Sequence, residues 1–304
     1  MPRKDVGLAA LVICIWGVNF VCASLAMESL PPLFMAAVRF TLVALPAVFF
    51  VKPPAAGWKP VVASGLCMGA VQFGLLYTAM NLGLPAGLAS LVLQVQSLFT
   101  VGLAAFILGE HPSTVQVFGI LVGILGMGVV GWQYLAHAPV LPFALAVLAA
   151  LGWAAGNIVT RRHPPRSGFS LVIWSALVPP IPLLLGSMVL EGPMAGFHGL
   201  AHLSLRSALG VAFVTYGASM VGYGLWNLLL SRHSAATVSP WSMFVPVVGA
   251  ITAWFYNGEV PTPMGILGAA ITVAGVLLAL GAGNRLFARA DVPDPEPAIE
   301  PPGL

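Results

Sequence analysis

The fold of this chain is decided by stretches such as residues 114–132, which read TVQVFGILVGILGMGVVGW. This stretch carries no charge and is about as long as the roughly 20 residues that a helix needs to cross a bilayer. Ten such apolar stretches follow one another, at about residues 6–26, 33–51, 60–80, 85–108, 114–132, 140–160, 170–190, 206–229, 235–256 and 262–283. In lipid, each segment must satisfy its own backbone hydrogen bonds, so stretches of this length predict helices rather than barrel strands. The predicted fold class is an all-α membrane protein with ten transmembrane helices.

The charged residues predict the orientation of these helices. Only 7% of the chain is charged, and 59% is hydrophobic. With the N-terminus in the cytoplasm, ten of the twelve Lys and Arg residues fall on cytoplasmic segments: Arg3, Lys4, Lys52, Lys59, Arg161, Arg162, Arg166, Arg232, Arg285 and Arg289. Arg206 alone falls outside, and Arg39 lies within the second stretch. The positive-inside bias favours this topology, and an even number of crossings places both termini in the cytoplasm.

The second half of the chain repeats the first at a shift of 149 residues. The sequence GEHP at 109–112 then meets GEVP at 258–261, Gly119 meets Gly268, and Gly126 meets Gly275. Residues 1–135 and 136–284 are therefore predicted to be two repeats of five helices each. Because five is odd, the second repeat is inverted, an arrangement characteristic of secondary transporters. Residues 285–304 are rich in proline and acidic residues and are predicted to form a disordered cytoplasmic tail.

Motifs for enzymatic or cofactor chemistry are missing from the sequence. Cys14, Cys22 and Cys67 all fall in predicted helices, and their spacings match no metal or redox motif, so they are interpreted as packing residues. The chain shows no nucleotide-binding lysine loop, no nucleophile elbow and no zinc-protease motif. No cofactor, metal, nucleic acid or ATPase partner is predicted, and the protein is expected to be a monomer or a homodimer.

Several longer strings resemble a known family. They are WGVNF at 16–20, LPAGLASLVLQ at 84–94, SLVIWSAL at 170–177, VGYGLW at 221–226 and VPVVG at 245–249. With them the chain resembles the drug/metabolite transporter superfamily, in its ten-helix type with two EamA domains, and within it the subgroup that exports O-acetylserine and cysteine. The resemblance implies a multi-pass protein of the bacterial inner membrane that exports small polar amino-acid metabolites.

Polar and aromatic side chains within the apolar stretches are the candidates for substrate binding, because polar groups are expensive in lipid and mostly face a cavity or another helix. The candidates are Trp16, Asn19, Arg39, Tyr77, Ser90, Gln94, Trp153, Asn157, Tyr223 and Asn227. Arg39 either anchors a substrate carboxylate through its paired donors or ties helices together. The Trp and Asn residues near the middle of stretches one and six either line a central cavity or hold helices together.

Helical spacing predicts which polar side chains share a face. Two stripes are expected, one of Ser90, Gln94 and Ser97 and one of Tyr216, Tyr223 and Asn227. Gln96 is expected to point elsewhere. Gln72 and Tyr77 lie about 140° apart on an α-helix, so they are not expected to face the cavity together.

Two prolines and two glutamates are the candidates for gating or capping. Pro85 begins the fourth stretch and Pro246 lies inside the ninth, where each either forms a hinge or makes a kink that neighbouring helices satisfy. Glu110 and Glu259 are expected to cap the helices that begin near Thr114 and Thr262, with a gate as the alternative role.

The predicted function is that of a secondary transporter that exports small amino-acid metabolites, such as cysteine and O-acetylserine, by alternating access. Other small solutes are the alternative substrates, namely aromatic amino acids, purines or quaternary amines. An intramembrane enzyme would need a nucleophile with a base or paired carboxylates in the membrane. A scaffold without transport activity would leave the repeat and the polar side chains without a role. Because no Asp, Glu or His falls in mid-membrane, a facilitator or exchanger is predicted rather than a proton-coupled carrier.

Overall fold

The computed structural model describes residues 1–45, 47–54, 57–84, 89, 91–135, 140–164, 167–257 and 262–287, and over these residues every regular element is helical. The prediction of an all-α fold is therefore confirmed. The elements are α1 (Arg3–Met27), α2 (Pro32–Ala44), α3 (Trp58–Asn81), α4 (Leu93–Leu108), α5 (Thr114–Leu135), α6 (Val140–Arg162), α7 (Gly168–Ser175), α8 (Pro180–Leu190), α9 (Ala195–Ala201), α10 (Leu205–Arg232), α11 (Ala235–Tyr256) and α12 (Pro263–Phe287). The predicted disordered tail lies almost wholly outside the described residues, and α12 itself ends slightly beyond residue 284.

Eight helices of the described chain are long and apolar enough to cross a membrane: α1, α2 with the turn after it, α3, α5, α6, α10, α11 and α12. The pair α7 and α8 forms a ninth candidate that bends by 43°. Pro179 and Pro180 lie at the bend, and proline cannot donate the backbone hydrogen bond that would continue α7. Helix α4 is a shorter apolar helix at the place of the fourth stretch. The count of ten spans stays a prediction.

Departures from α-helical geometry recur at the spacing of the sequence repeat. A π-helical segment interrupts α3 at Gly65–Val71, and another interrupts α10 at Phe213–Gly222. Helix α4 begins with a 3₁₀ turn at Leu93–Val95, and α11 contains one at Ser239–Phe244. A shift of 149 residues carries the first segment of each pair into the second. The two halves of the chain therefore share local irregularities as well as sequence motifs.

Helices α5 and α12 approach each other at four glycines. A methyl group on Gly119 would lie 2.6 Å from the carbonyl oxygen of Gly275, and one on Gly126 would lie 2.6 Å from that of Gly268. Only glycine permits this approach, which is typical of close helix pairs in membranes. In the sequence repeat, Gly119 corresponds to Gly268 and Gly126 corresponds to Gly275. Gly119 therefore contacts the counterpart of Gly126, and Gly126 contacts the counterpart of Gly119. A two-fold relationship between the predicted repeats would produce such an exchange of partners.

Contacts between α1 and α10 define two faces of the bundle. Asp5, in the first turn of α1, forms an ion pair with Arg232 at the end of α10. Ser29, just after α1, forms a hydrogen bond of 2.9 Å with Ser207 in the first turn of α10. The two helices are therefore antiparallel neighbours. The face at Asp5 is called the proximal face below, and the face at Ser29 the distal face.

Candidate functional site

A cavity of about 510 Å³ lies between helices α1, α2, α3, α4, α6, α10 and α11, with one contact from α5. This volume falls within the range of pockets that hold small-molecule ligands. Apolar side chains such as Val21, Leu76 and Leu93 alternate in its wall with a few polar and aromatic ones. That mixture is typical of a binding site for a small solute.

Most of the side chains predicted to bind substrate lie in this wall. They are Trp16, Asn19, Arg39, Tyr77, Gln94, Trp153 and Tyr223. Pro246, one of the gating candidates, also lines the cavity. Pro85, Ser90 and Glu259 lie outside the described residues, so their roles stay predictions.

Asn157 and Asn227 lie behind the wall rather than in it. The Asn157 side chain donates to Oγ1 of Thr100 at 3.1 Å and accepts the indole N–H of Trp226 at 3.0 Å. The Asn227 amide oxygen accepts from Oγ1 of Thr160 at 3.4 Å. Both asparagines lie where helices meet, so they connect α6 with α4 and α10. For Asn157 the structure favours the alternative interpretation, a tie between helices, and Asn227 makes the same kind of contact.

Arg39 is the one charged residue in the described wall of the cavity. It is 2% exposed, and its Nε–H donates to Oγ of Ser219 at 2.5 Å. The guanidinium carbon lies 4.6 Å from the centre of the Phe73 ring and 5.7 Å from that of Tyr223. None of the ion pairs between described residues includes Arg39. The charge is therefore held by a hydroxyl and aromatic faces, without a carboxylate from the described chain.

An aromatic cluster closes the cavity on its proximal side. The ring of Trp16 lies 5.3 Å from that of Trp153, 5.5 Å from that of Tyr223 and 5.2 Å from that of Trp226. The Trp16 indole N–H donates to the carbonyl oxygen of Ala218 at 3.1 Å. These rings come from α1, α6 and α10, so the cluster joins three helices at one level of the bundle.

The wall of the cavity contains Gln96, which was predicted to point elsewhere, and it contains both Gln72 and Tyr77, of which only one was expected there. On α3 the lining residues are Gln72, Phe73, Leu76, Tyr77 and Met80. At about 100° per residue they span one arc of roughly 140°, so the cavity wraps around a broad face and includes both ends of that arc. Gln96 follows the 3₁₀ turn Leu93–Val95, in which successive side chains are rotated further apart than in an α-helix. The prediction that Gln96 points away from the cavity is therefore wrong.

The side chains of each of the two predicted stripes do not all face the cavity. Tyr216 is 47% exposed, because it lies within the π-helical segment of α10, whose wider turns break the α-helical register with Tyr223. Ser97 turns toward α11, where its hydroxyl bonds to the carbonyl oxygen of Ser239 and to Oγ of Ser242, both at 3.0 Å. A constant helical period could predict neither orientation.

The cavity occupies the distal half of the bundle. On α1 its wall begins at Trp16 and extends to Met27, at the distal end of that helix. On α3 the lining begins at Gln72 and ends at Met80, close to the end of the helix. Proximal to the aromatic cluster, the helices leave a small cavity of only about 20 Å³, lined by residues such as Ser64, Met68 and Asn227. The binding cavity is therefore closed toward the proximal face.

Two carboxylates connect helix ends at the proximal face. Asp5 accepts from Arg232 at 3.1 Å and lies 2.7 Å from Nε2 of His233. Glu110 accepts from Nε of Arg161 at 2.7 Å and from the backbone N–H of Ala235 at 2.9 Å. Asp5 and Glu110 belong to the first half of the chain, and their partners belong to the second. These contacts join the two halves on the closed side of the cavity.

The helix capped by Glu110 differs from the predicted one. The Glu110 carboxylate caps α11 at Ala235, whereas the first turn of α5 is capped by Ser113 and Gln116. Ser113 and Gln116 exchange side-chain-to-backbone hydrogen bonds of 2.9 and 3.2 Å, which is a capping box. Because this local pair already satisfies α5, the carboxylate is available to a distant helix N-terminus.

Pro246 lies at a junction rather than inside a continuous α-helix. The 3₁₀ segment Ser239–Phe244 ends just before it, and the α-helical part of α11 begins at Val245. A proline in the first turn of a helix breaks no α-helical hydrogen bond, since the N–H groups there have no partner within the helix. The expected mid-helix break at Pro246 is therefore replaced by a change of helix type in the cavity wall.

A bundle of apolar helices around an internal cavity, with a buried cation in its wall, has the architecture of a membrane transport protein. Comparison with known proteins agrees with this class. The model of the EamA-like transporter family matches residues 4–132 and again residues 140–281, and the chain belongs to this family. It is thus a member of the drug/metabolite transporter superfamily and a multi-pass protein of the bacterial inner membrane.

Individual relatives are similar over nearly the whole chain. A protein of Escherichia coli named "Probable amino-acid metabolite efflux pump" is 40% identical over 91% of this chain and 95% of its own. A protein of Streptantibioticus cattleyicolor named "Probable terminal-alkyne amino-acid exporter" is 28% identical over 90% of this chain and 93% of its own. A protein of known crystal structure shares the fold with a TM-score of 0.71 at 20% identity, over 95% of this chain and 100% of that one.

Proposed function

We propose that this protein is a secondary transporter that exports small amino-acid metabolites, such as cysteine and O-acetylserine, across the inner membrane. The observation that carries the proposal is the cavity of about 510 Å³, with a buried guanidinium and amide side chains in an otherwise apolar and aromatic wall. A cavity of this size exceeds the volume of such solutes and leaves room for bound water. The names of the E. coli and S. cattleyicolor relatives support amino-acid derivatives as the substrate class.

The proposed architecture has ten helices in two inverted repeats, residues 1–135 and 136–284, with both termini in the cytoplasm. Three observations support the repeat. The π-helical and 3₁₀ segments recur at the spacing of 149 residues, the glycines of α5 and α12 exchange partners, and the family model matches twice. The distribution of Lys and Arg supports the orientation, in which the proximal face is cytoplasmic.

This orientation and the position of the cavity support the proposal of alternating access. With the proximal face in the cytoplasm, the structure is closed toward the cytoplasm and its cavity lies in the outer half of the bundle. Entry of a cytoplasmic substrate then requires the proximal contacts of Asp5 and Glu110 to separate. Those contacts join the two repeats, so the opening movement is a rotation of one repeat against the other.

Quaternary amines are the alternative that the aromatic cluster supports, because Trp and Tyr faces attract such cations. The charge of Arg39 opposes them. No carboxylate is present among the described lining residues, so an organic cation would share the cavity with an uncompensated guanidinium. Electrostatics therefore favours a ligand that carries a negatively charged group.

Transport into everted membrane vesicles tests this function. In such vesicles the cytoplasmic face is outside, so export is measured as uptake of radiolabelled cysteine or O-acetylserine. We expect uptake to exceed that of vesicles without the protein and to saturate with concentration. Uptake of purines or quaternary amines with no uptake of any amino-acid derivative would contradict the proposal and favour its alternatives.

A further inference from the structure

We infer that the cavity contains a carboxylate subsite formed by Arg39 of α2, Tyr77 of α3 and Tyr223 of α10, with Ser219 as the residue that orients Arg39. The inference rests on the proposed function and specifies which part of the substrate the site recognises. The subsite recognises the carboxylate of the substrate and not its amino group.

The first argument is the unused hydrogen-bonding capacity of Arg39. Its Nε–H is taken by Ser219, and its two terminal nitrogens face the phenols of Tyr77 and Tyr223, with no carbonyl, amide or carboxylate acceptor recorded for them among the described residues. An arginine that served only to tie helices together would direct these donors to carbonyl or amide oxygens. A buried cation without an anionic partner costs free energy in a membrane, and an incoming carboxylate would lower that cost.

Ser219 fixes the edge of the guanidinium that remains open. Its hydroxyl accepts from Nε of Arg39 at 2.5 Å and donates to the carbonyl oxygen of Val214 at 2.7 Å. Val214 precedes Ser219 by five residues, a spacing that the π-helical segment Phe213–Gly222 brings together. With Nε occupied, a carboxylate can bind only at the edge formed by the two terminal nitrogens, where paired donors match its two oxygens.

Two tyrosines extend this subsite. The hydroxyl groups of Tyr77 and Tyr223 lie close enough to the guanidinium to interact with it, and both residues line the cavity. A phenol that accepts from arginine retains its O–H for a ligand oxygen. Phe73 packs against the guanidinium face at 4.6 Å and leaves its edge open. Three donors from three helices therefore surround one position for an anion.

No corresponding acidic subsite exists for an amino group, since no Asp or Glu occurs among the described lining residues. The acceptors that the wall offers are amides such as those of Asn19, Gln72 and Gln96. An amide oxygen accepts an N–H from an ammonium or from an acylated amine. The site is therefore selective for organic carboxylates, whether their amine is free or acylated.

Competition against uptake of radiolabelled L-cysteine in everted vesicles, under reducing conditions, tests the inference with matched ligands. N-acetyl-L-cysteine lacks the ammonium, and L-cysteinamide lacks the carboxylate. We expect N-acetylcysteine to compete within about threefold of unlabelled cysteine. Cysteinamide should compete roughly tenfold to hundredfold more weakly, as expected for loss of a charge-assisted hydrogen-bonded pair.

Variants assign this selectivity to residues. Arg39→Gln should abolish the difference between cysteine and cysteinamide, and Arg39→Lys should retain only part of it because lysine lacks the paired donors. Ser219→Ala should reduce the difference, and Ser219→Thr should restore it by keeping the hydroxyl. Ser231→Ala is the matched control, since Ser231 also bonds to a carbonyl of α10 but has no contact with Arg39.

The outcomes separate the two proposals. If the wild type takes up no cysteine or other amino-acid derivative, the proposed function itself is wrong. Uptake of cysteine that cysteinamide inhibits as strongly as cysteine does would overturn only the carboxylate subsite. Unchanged selectivity in a folded Ser219→Ala protein would show that Ser219 does not orient Arg39. The wild-type comparison needs no variant, so instability of an Arg39 variant leaves the test decisive.

Discussion

Asp5 and Arg232, 227 residues apart in the chain, form an ion pair of 3.1 Å that joins the first turn of α1 to the last turn of α10. Arg232 is half exposed, so the pair itself contributes at most about 1 kcal/mol. The buried carboxylate of Asp5 also contacts His233, and together these contacts hold the proximal ends of the two halves together. In the proposed alternating-access cycle, the pair is thus placed to bias the equilibrium between closed and open proximal states.

Asp5→Asn should shift this equilibrium toward the open proximal state. The expected readout is labelling of a Ser64→Cys reporter, in a background without the native cysteines, by an impermeant maleimide in everted vesicles. Ser64 lines the small cavity proximal to Tyr223. Labelling should become roughly two- to tenfold faster, in keeping with a loss of about 1 kcal/mol. Glu28→Gln, an equivalent change at an exposed position, is the control, and equal rates in both variants would refute the role of Asp5.

Gly119→Ala should destabilise the protein by roughly 1–3 kcal/mol, the usual cost of overpacking. The new methyl group would lie 2.5 Å from the backbone nitrogen of Ala279 and 2.6 Å from the carbonyl oxygen of Gly275, so α5 and α12 would have to separate. Thermal melting in detergent measures the loss. Gly128→Ala on the same helix meets nothing within 4 Å and should be neutral or slightly stabilising. A similar loss in both variants would argue against the close approach.

Reporter fusions test the proposed topology. A fusion after Arg289 should report cytoplasm, and one near Gly196 should report periplasm, because the basic residues lie overwhelmingly on one side. Periplasmic activity of the C-terminal fusion would overturn the model of ten spans. It would also reverse the assignment of the proximal face.

Proteoliposomes with an imposed pH step test energy coupling. At the proximal face, the carboxylates of Asp5 and Glu110 are both engaged in ion pairs. The described cavity wall contains no carboxylate. Without a substrate gradient, we therefore expect no concentrative accumulation. Accumulation that depends on the pH step and disappears in Glu110→Gln would instead identify that carboxylate as the coupling group.

The apolar stretches predicted the helices well, because crossing a bilayer imposes a length that composition reveals. Side-chain orientation was predicted less well, since it depends on helix type. Tyr216 and Gln96 were both misplaced by a constant period of 100° per residue, and both lie in or next to non-α segments. Nothing in the local sequence distinguishes these segments from ordinary helix.

The sequence did not predict hydrogen-bond partners that lie far apart in the chain. The acidic residue after α4 suggested a helix cap, and Glu110 does cap a helix, but one that begins 125 residues away at Ala235. A role for Ser219 was not predicted, because an isolated serine in an apolar helix carries no pattern. Its importance follows only from the packing of α10 against Arg39.

The π-helical segment of α10 makes the binding cavity sensitive to the number of residues in a helix as well as to their identity. Deleting one residue between Phe213 and Gly222 would remove a residue that the wider winding accommodates and would change which side chains of the segment face the cavity. Relatives that differ by a single insertion or deletion here would present different side chains to the same solute, even where the flanking sequence is identical.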